Sequence, residues 1–138
     1  MSHATTSVTQ LDSRSSGKII NIVLWVLQIA AAAMFLMVGF SKLSGDAQMV
    51  GLFQTIGLGQ WFRYVTGALE VGSAILLLIP RTSGVGALLL VGVMVGAVLT
   101  HLFVIGGSPL GAIIFLIVTG VIAWGRRKRT IGLFTDQR

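Results

Sequence analysis

The sequence predicts an all-α integral membrane protein, a bundle of four transmembrane helices with a short interfacial helix between the first and the second. Hydrophobic residues make up 54% of the 138 and charged residues only 10%, whereas soluble domains carry about 25% charge. Successive apolar runs are punctuated by glycine, proline and basic residues in the pattern of membrane spans and turns. One of those runs holds a single carboxylate, Glu70, which at the centre of a bilayer costs about 2.5 to 3.5 kcal/mol unless it faces protein, water or a counter-charge.

Composition also excludes several classes of function. With no cysteine, the chain offers no disulfide, thiol redox chemistry, iron–sulfur ligation or cysteine zinc site. The net charge of +6 comes from basic residues beside apolar runs, without the interleaved aromatics of a base-stacking surface. It is therefore read as a topology signal, with the lipid bilayer and not nucleic acid as the partner.

Residues 1–18 are Ser/Thr-rich and lack apolar periodicity, which predicts a disordered tail in which His3 is incidental. Residues 19–40 are apolar apart from Asn21 and Gln28 and reach roughly 33 Å as a helix, a full hydrocarbon core. Ala30 to Ala33 resembles the cleavage region of a signal peptide, but the apolar stretch continues past it to Phe40, which favours a membrane helix.

Residues 41–61 are less apolar, and Val50, Phe53 and Ile56 are spaced to line one side of a short helix that Ser44 or Asp46 could cap. Such a helix suits the membrane interface. Trp61, Phe62 and Tyr64 form an aromatic belt at the start of the second span, 62–80, which Pro80 and Arg81 end. The third span is 85–105. Gly106 to Pro109 make the next turn, with Pro109 as first residue of the fourth span, 109–124, and Ser108 as its cap. A basic tail, 126–138, closes the chain.

Both termini and the Arg81 turn fall on one side of such a bundle, together with Arg14, Lys18, Arg126, Arg127, Lys128, Arg129 and Arg138. The other side has only Lys42 and Arg63. By the positive-inside rule both termini are cytoplasmic.

At about 100° per residue, the face of the second span that holds Glu70 also holds Arg63, Thr66, Gly67, Ser73 and Ala74. Glu70 lies about 12 Å below the outer end of its helix, and His101 about 6 Å below the same surface on the third. Lys42 ends the first span on that side. The candidate polar site is therefore Lys42, Arg63, Thr66, Glu70 and His101. In one reading it binds a ligand or handles protons; in the other, Glu70 pairs with Lys42 or Arg63 to fix helix register. One histidine and one glutamate are too few for a metal or a bis-histidine haem site. Gly92 and Gly96 form a G-x-x-x-G nearly opposite His101, which predicts a separate face for packing another helix.

Several segments taken in order, Gly39-Phe40-Ser41-Lys42-Leu43, Thr66-Gly67-Ala68-Leu69-Glu70 with Leu76 to Pro80, and Gly96-Ala97-Val98-Leu99-Thr100-His101, resemble the DoxX and DoxX-like family of small bacterial four-helix membrane proteins. The likeness covers about 19–127. It implies a multi-pass protein of the bacterial cytoplasmic membrane, with Lys42 and Glu70 as signature charges and His101 as a third member of the pattern. It also implies a membrane subunit of a redox or quinone-linked system. Any enzymatic role would be that of a membrane oxidoreductase subunit whose electrons come from a partner, because the chain has no redox centre of its own. On this reading a quinone is the expected ligand, with Lys42 or His101 donating to a carbonyl and Glu70 exchanging the proton. The alternatives are a non-enzymatic assembly subunit that binds another helix or a second copy through Gly92, and a small proton-coupled carrier.

Overall fold

In the computed structural model, which describes residues 2–135 and side chains from residue 15 onward, every regular element is helical. These elements are α1 (Ser2–Ser44), α2 (Ala47–Ile56), α3 (Gln60–Leu78), α4 (Ser83–Thr100), a π-helical turn (His101–Ile105), α5 (Leu110–Gly125) and α6 (Arg127–Thr135). Three of the helical stretches, Ser15–Ser44, Gln60–Leu78 and Ser83–Ile105, are long and apolar enough to cross a membrane. A fourth span exists if Leu110–Gly125 and Arg127–Thr135, which meet at a 54° bend, are counted as one.

The four long helices pack in a ring: α1 on α3, α3 on α4, α4 on α5, and α5 back on α1. Small residues allow the close spacing. A Cβ at Gly86 would stand 2.7 Å from the Ser73 carbonyl oxygen, so α4 lies directly against α3. The enclosed core is Ala31, Ala32, Phe35, Ala74, Leu77, Ala87, Leu90, Met94 and Ile122, and Phe35 meets Phe115 edge to face at 5.3 Å. The outside is equally apolar. Ile22, Val26, Phe40, Leu88, Phe103 and Ile117 are all more than half exposed, a surface that lipid covers and water does not. The molecule is a membrane protein.

Element boundaries differ from the sequence reading in ways that local chemistry explains. The tail expected to be disordered before residue 19 continues α1 back to Ser2. No proline interrupts it, and once the apolar segment has nucleated a helix each further residue costs only propagation. At about 1.5 Å per residue, the 43 residues of α1 reach about 65 Å, more than twice a hydrocarbon core. Its Ser-rich start therefore extends past the apolar part.

Helix α3 stops at Leu78, two residues short of the expected end, because Pro80 pushes its predecessor out of the helical region; Ile79 is extended at φ −93° and ψ 120°. The expected third span splits into α4 and the π-helical turn, which Gly106 and Gly107 end with positive φ of 70° and 76°. Pro109 takes the cap position of α5, not the first helical one. The Ser108 hydroxyl still accepts the Leu110 N–H, at 3.3 Å. The basic tail, expected only as a charged end, forms α6, which packs on α4; residues 136–138 lie outside the described part.

Helix α2 covers one end of the ring, packing on α3 and on the π-helical turn. It buries Phe53 as its periodicity predicts, 5.8 Å from the Phe62 ring. Neither expected cap forms. Asp46 occupies the N-cap position without a side-chain cap bond, and the Ser44 hydroxyl donates back to Ser41 O. Because the four helices alternate in direction, α2 and α6 mark opposite ends of the bundle.

Candidate functional site

The site begins with two glycines, each three residues ahead of a charge. Gly39 precedes Lys42 on α1 and Gly67 precedes Glu70 on α3, a spacing that puts glycine and charge on one helical face. A Cβ at Gly39 would stand 3.0 Å from Gly67 O, and one at Gly67 would stand 3.0 Å from Gly39 O and from Lys42 Cβ. The two backbones therefore touch. One turn further along, the Lys42 ammonium reaches the Glu70 carboxylate, with Nζ and Oε1 2.6 Å apart and side chains 10% and 1% exposed.

Burying such a pair is costly, and the remaining polar valences must be met for it to be stable. They are met in part. Arg63, also buried, does not approach Glu70 as the sequence reading allowed. Its Nη1 donates to the Lys42 carbonyl and its Nε to Gln60 Oε1 at 2.7 Å, with the guanidinium over the Tyr64 ring at 4.3 Å. Arg63 thus satisfies a carbonyl in the last turn of α1, where a cation is favoured, and holds the backbone that carries Lys42. Glu70 Oε2 and Ser73 Oγ are buried with no hydrogen-bond partner.

Lys42 and Glu70 form part of the wall of a cavity of about 530 Å³, within the range of small-molecule sites. The sequence suggests a polar pocket, but the walls are mainly apolar, with Phe35, Phe53, Phe62, Leu89, Val93 and Phe115 among them. Polar groups come from Lys42, Thr66, Glu70, Thr100 and His101. Thr66 and Thr100 spend their hydroxyls on carbonyls of their own helices, Phe62 O at 2.8 Å and Gly96 O at 2.7 Å.

His101 shares this cavity with Glu70 without bonding to it. Its Nδ1 lies 2.9 Å from Ala97 O. A carbonyl only accepts, so Nδ1 carries the proton and, in the neutral ring, Nε2 is an acceptor. The π-helical turn that starts at His101 widens the backbone at this point. Nothing in the apolar periodicity marks it.

Gly92 and Gly96, expected to form a packing face apart from the polar one, are exposed, have no atom within 4 Å of where a Cβ would sit, and line the same cavity as His101. The cavity wraps the end of α4 and the π-helical turn, from Leu89 to Ile105, which is broader than a single helical face.

Residues 26–126 match the model of the DoxX-like family. The chain belongs to the DoxX-like family. No curated protein and no solved structure matches it. The matched region of this DoxX-like protein contains Lys42, Arg63, Glu70 and His101.

It ends on a residue whose role the sequence reading did not find. Arg126, assigned there only to topology, is 5% exposed. Its Nε donates to Gln28 Oε1 at 2.7 Å and its Nη1 to Asn21 Oδ1 at 2.9 Å, while Gln28 Nε2 donates to Leu77 O at 2.7 Å. This second polar cluster joins α1, α3 and the α5–α6 junction at the end opposite Lys42. Its signal was present, since Asn21 and Gln28 are the two polar breaks in the first apolar run and lie two turns apart, on one face. Among the described residues of this DoxX-like protein, no group of three or more His, Asp or Glu side chains is placed to hold a metal.

Proposed function

We propose that this DoxX-like protein is a membrane subunit of a redox or quinone-linked system, and that the cavity beside Lys42 and Glu70 binds a lipophilic molecule with a flat polar head, of the quinone class. The observation that carries this reading is a large apolar cavity edged by three groups with unused hydrogen-bonding capacity. Lys42 Nζ spends one hydrogen on Glu70 and keeps two for a ligand carbonyl. Glu70 keeps Oε2, and His101 keeps Nε2 as an acceptor for a ligand hydroxyl. Quinone reduction takes up two electrons and two protons; here the electrons come from a partner oxidoreductase subunit, and Glu70 and His101 are the groups able to hold or release the protons.

Four spans, with α6 as the bent end of the fourth and α2 at the interface, accord with this reading. So does a bacterial cytoplasmic membrane with both termini inside, on the strength of the basic residues gathered at the α6 end.

A second reading has its own support. The Lys42–Glu70 pair and the Arg63 contact hold α1 against α3 without any ligand, as expected of a non-enzymatic assembly subunit.

The test is purification of the full chain in mild detergent, with mass spectrometry of bound lipids, quinones and subunits. Quinone that co-purifies with wild type and is lost from Glu70→Gln and His101→Ala, while both stay folded, supports the first reading. A stoichiometric partner with no small molecule, or quinone retained equally by both variants, overturns it.

A further inference from the structure

At the end of the bundle remote from Lys42, a second cleft of about 420 Å³ opens between the turn at 79–82 and α6, lined by Pro80, Arg81, Arg129, Gly132 and Leu133. Two arginines from separate elements, Arg81 and Arg129, line it. Arg81 is exposed on the turn; Arg129 is partly buried and anchored by a 3.1 Å bond from its Nη1 to Pro80 O, which leaves its other N–H groups available. Among the described residues no acidic side chain lines the cleft.

Helix α6 is built to complete it. Arg129, Gly132 and Leu133 stand at i, i+3 and i+4, on one face. They present a charge, a gap and an apolar floor in succession. Thr130 packs over Gly84 on the other side and fixes α6 to α4. Ile131 and Phe134, 58% and 73% exposed, flank the basic face with apolar surface, the pattern of a helix lying at the boundary of headgroups and acyl chains.

We propose that Arg81 and Arg129 clasp the phosphate of an anionic phospholipid headgroup in this cleft, with Pro80 and Leu133 against the start of its acyl chains. Paired guanidinium groups on a fixed frame suit a phosphate by their forked donors, and the membrane leaflet at this end of the bundle is where such a headgroup is available. The site is independent of the Lys42–Glu70 cavity.

The test is native mass spectrometry of the full chain released from nanodiscs containing phosphatidylglycerol and phosphatidylcholine, comparing wild type, R81Q/R129Q and R127Q/K128Q. The last pair removes the same charge from exposed side chains that do not line the cleft. The expected result is one retained phosphatidylglycerol on wild type and on R127Q/K128Q, and retention reduced about tenfold or more in R81Q/R129Q. R81K/R129K, which keeps charge but loses the fork, is expected to fall between. Should R81Q/R129Q fail to fold, R81Q alone, on an exposed turn, reads the same retention. Equal loss in both charge-neutralised pairs would reduce the site to diffuse attraction and overturn the proposal. So would no loss in either, or displacement of the lipid by millimolar inorganic phosphate that binds equally well in pure phosphatidylcholine.

Discussion

Gly39 and Gly67 stand backbone to backbone where α1 crosses α3, and the Lys42–Glu70 ion pair one turn beyond exists because of that crossing. Gly67→Ala sets a Cβ against Gly39 O, which cannot move without moving α1. We expect the clash, of about 1 to 3 kcal/mol, to exceed the gain of up to about 1 kcal/mol in helix propensity. Gly92→Ala has open space and keeps the whole of that gain. Thermal unfolding in detergent, followed by circular dichroism, checks both. A stabilised Gly67→Ala protein would show that the crossing is looser than described.

Removing one member of the buried pair leaves the other without its partner. Lys42→Met is expected to destabilise by about 3 to 5 kcal/mol, and Glu70→Gln by less, since an amide oxygen still accepts from Lys42. The double variant Lys42→Met/Glu70→Leu is expected to recover part of the loss of its two single variants, with a coupling of about 1 to 3 kcal/mol in a double-mutant cycle. Strictly additive losses would mean that the two side chains do not act as a pair.

The same logic applies at the opposite end. Gln28→Leu removes both the acceptor for Arg126 and the donor to Leu77 O, and a loss of about 1 to 3 kcal/mol is expected. Arg127→Gln, on an exposed neighbour, is expected to stay within about 0.5 kcal/mol of wild type. Equal behaviour of the two variants would return Arg126 to a purely topological role.

His101→Ala gives up one hydrogen bond within its own chain segment, so the expected cost to folding is small, about 0.5 to 1.5 kcal/mol. Its effect on quinone retention is expected to be larger, because Nε2 is lost from the cavity wall. Titration of the purified protein with a short-chain quinone, read by tryptophan fluorescence, checks this; unchanged affinity would remove His101 from the site.

What could be read from the sequence follows from what each residue needs. Glu70 stands out because a carboxylate in an apolar run must have a partner, and helix geometry brings Lys42, Arg63 and His101 within reach without choosing among them; the choice of Lys42 is made by the close crossing of α1 and α3. Arg63 was placed on the correct face, yet its direction was not legible: a long side chain chooses between a carboxylate and a carbonyl according to contacts from another helix. Arg126 looked like one more basic residue at a membrane edge, because its burial depends on Asn21 and Gln28, far away in the chain. Pro80 made the end of α3 legible to within two residues. The π-helical turn at His101 was not, since a change in backbone hydrogen bonding leaves no mark on hydropathy. Gly92 and Gly96 carry a packing motif whose periodicity sets them apart from His101, yet the cavity wraps far enough around α4 to include all three, a breadth that tertiary structure decides.

One unbroken helix, α1, carries Asn21 and Gln28 toward one membrane face and Lys42 toward the other, with Gln28 and Lys42 about 21 Å apart along its axis. A stiff rod gripped at both ends cannot turn at one without turning at the other. Any rotation of α1 that shifts Lys42 relative to Glu70 swings Gln28 through the same angle against Arg126. The seating of the Lys42–Glu70 pair at one end of the bundle and that of the α5–α6 junction at the other are therefore linked by torsion in a single shaft.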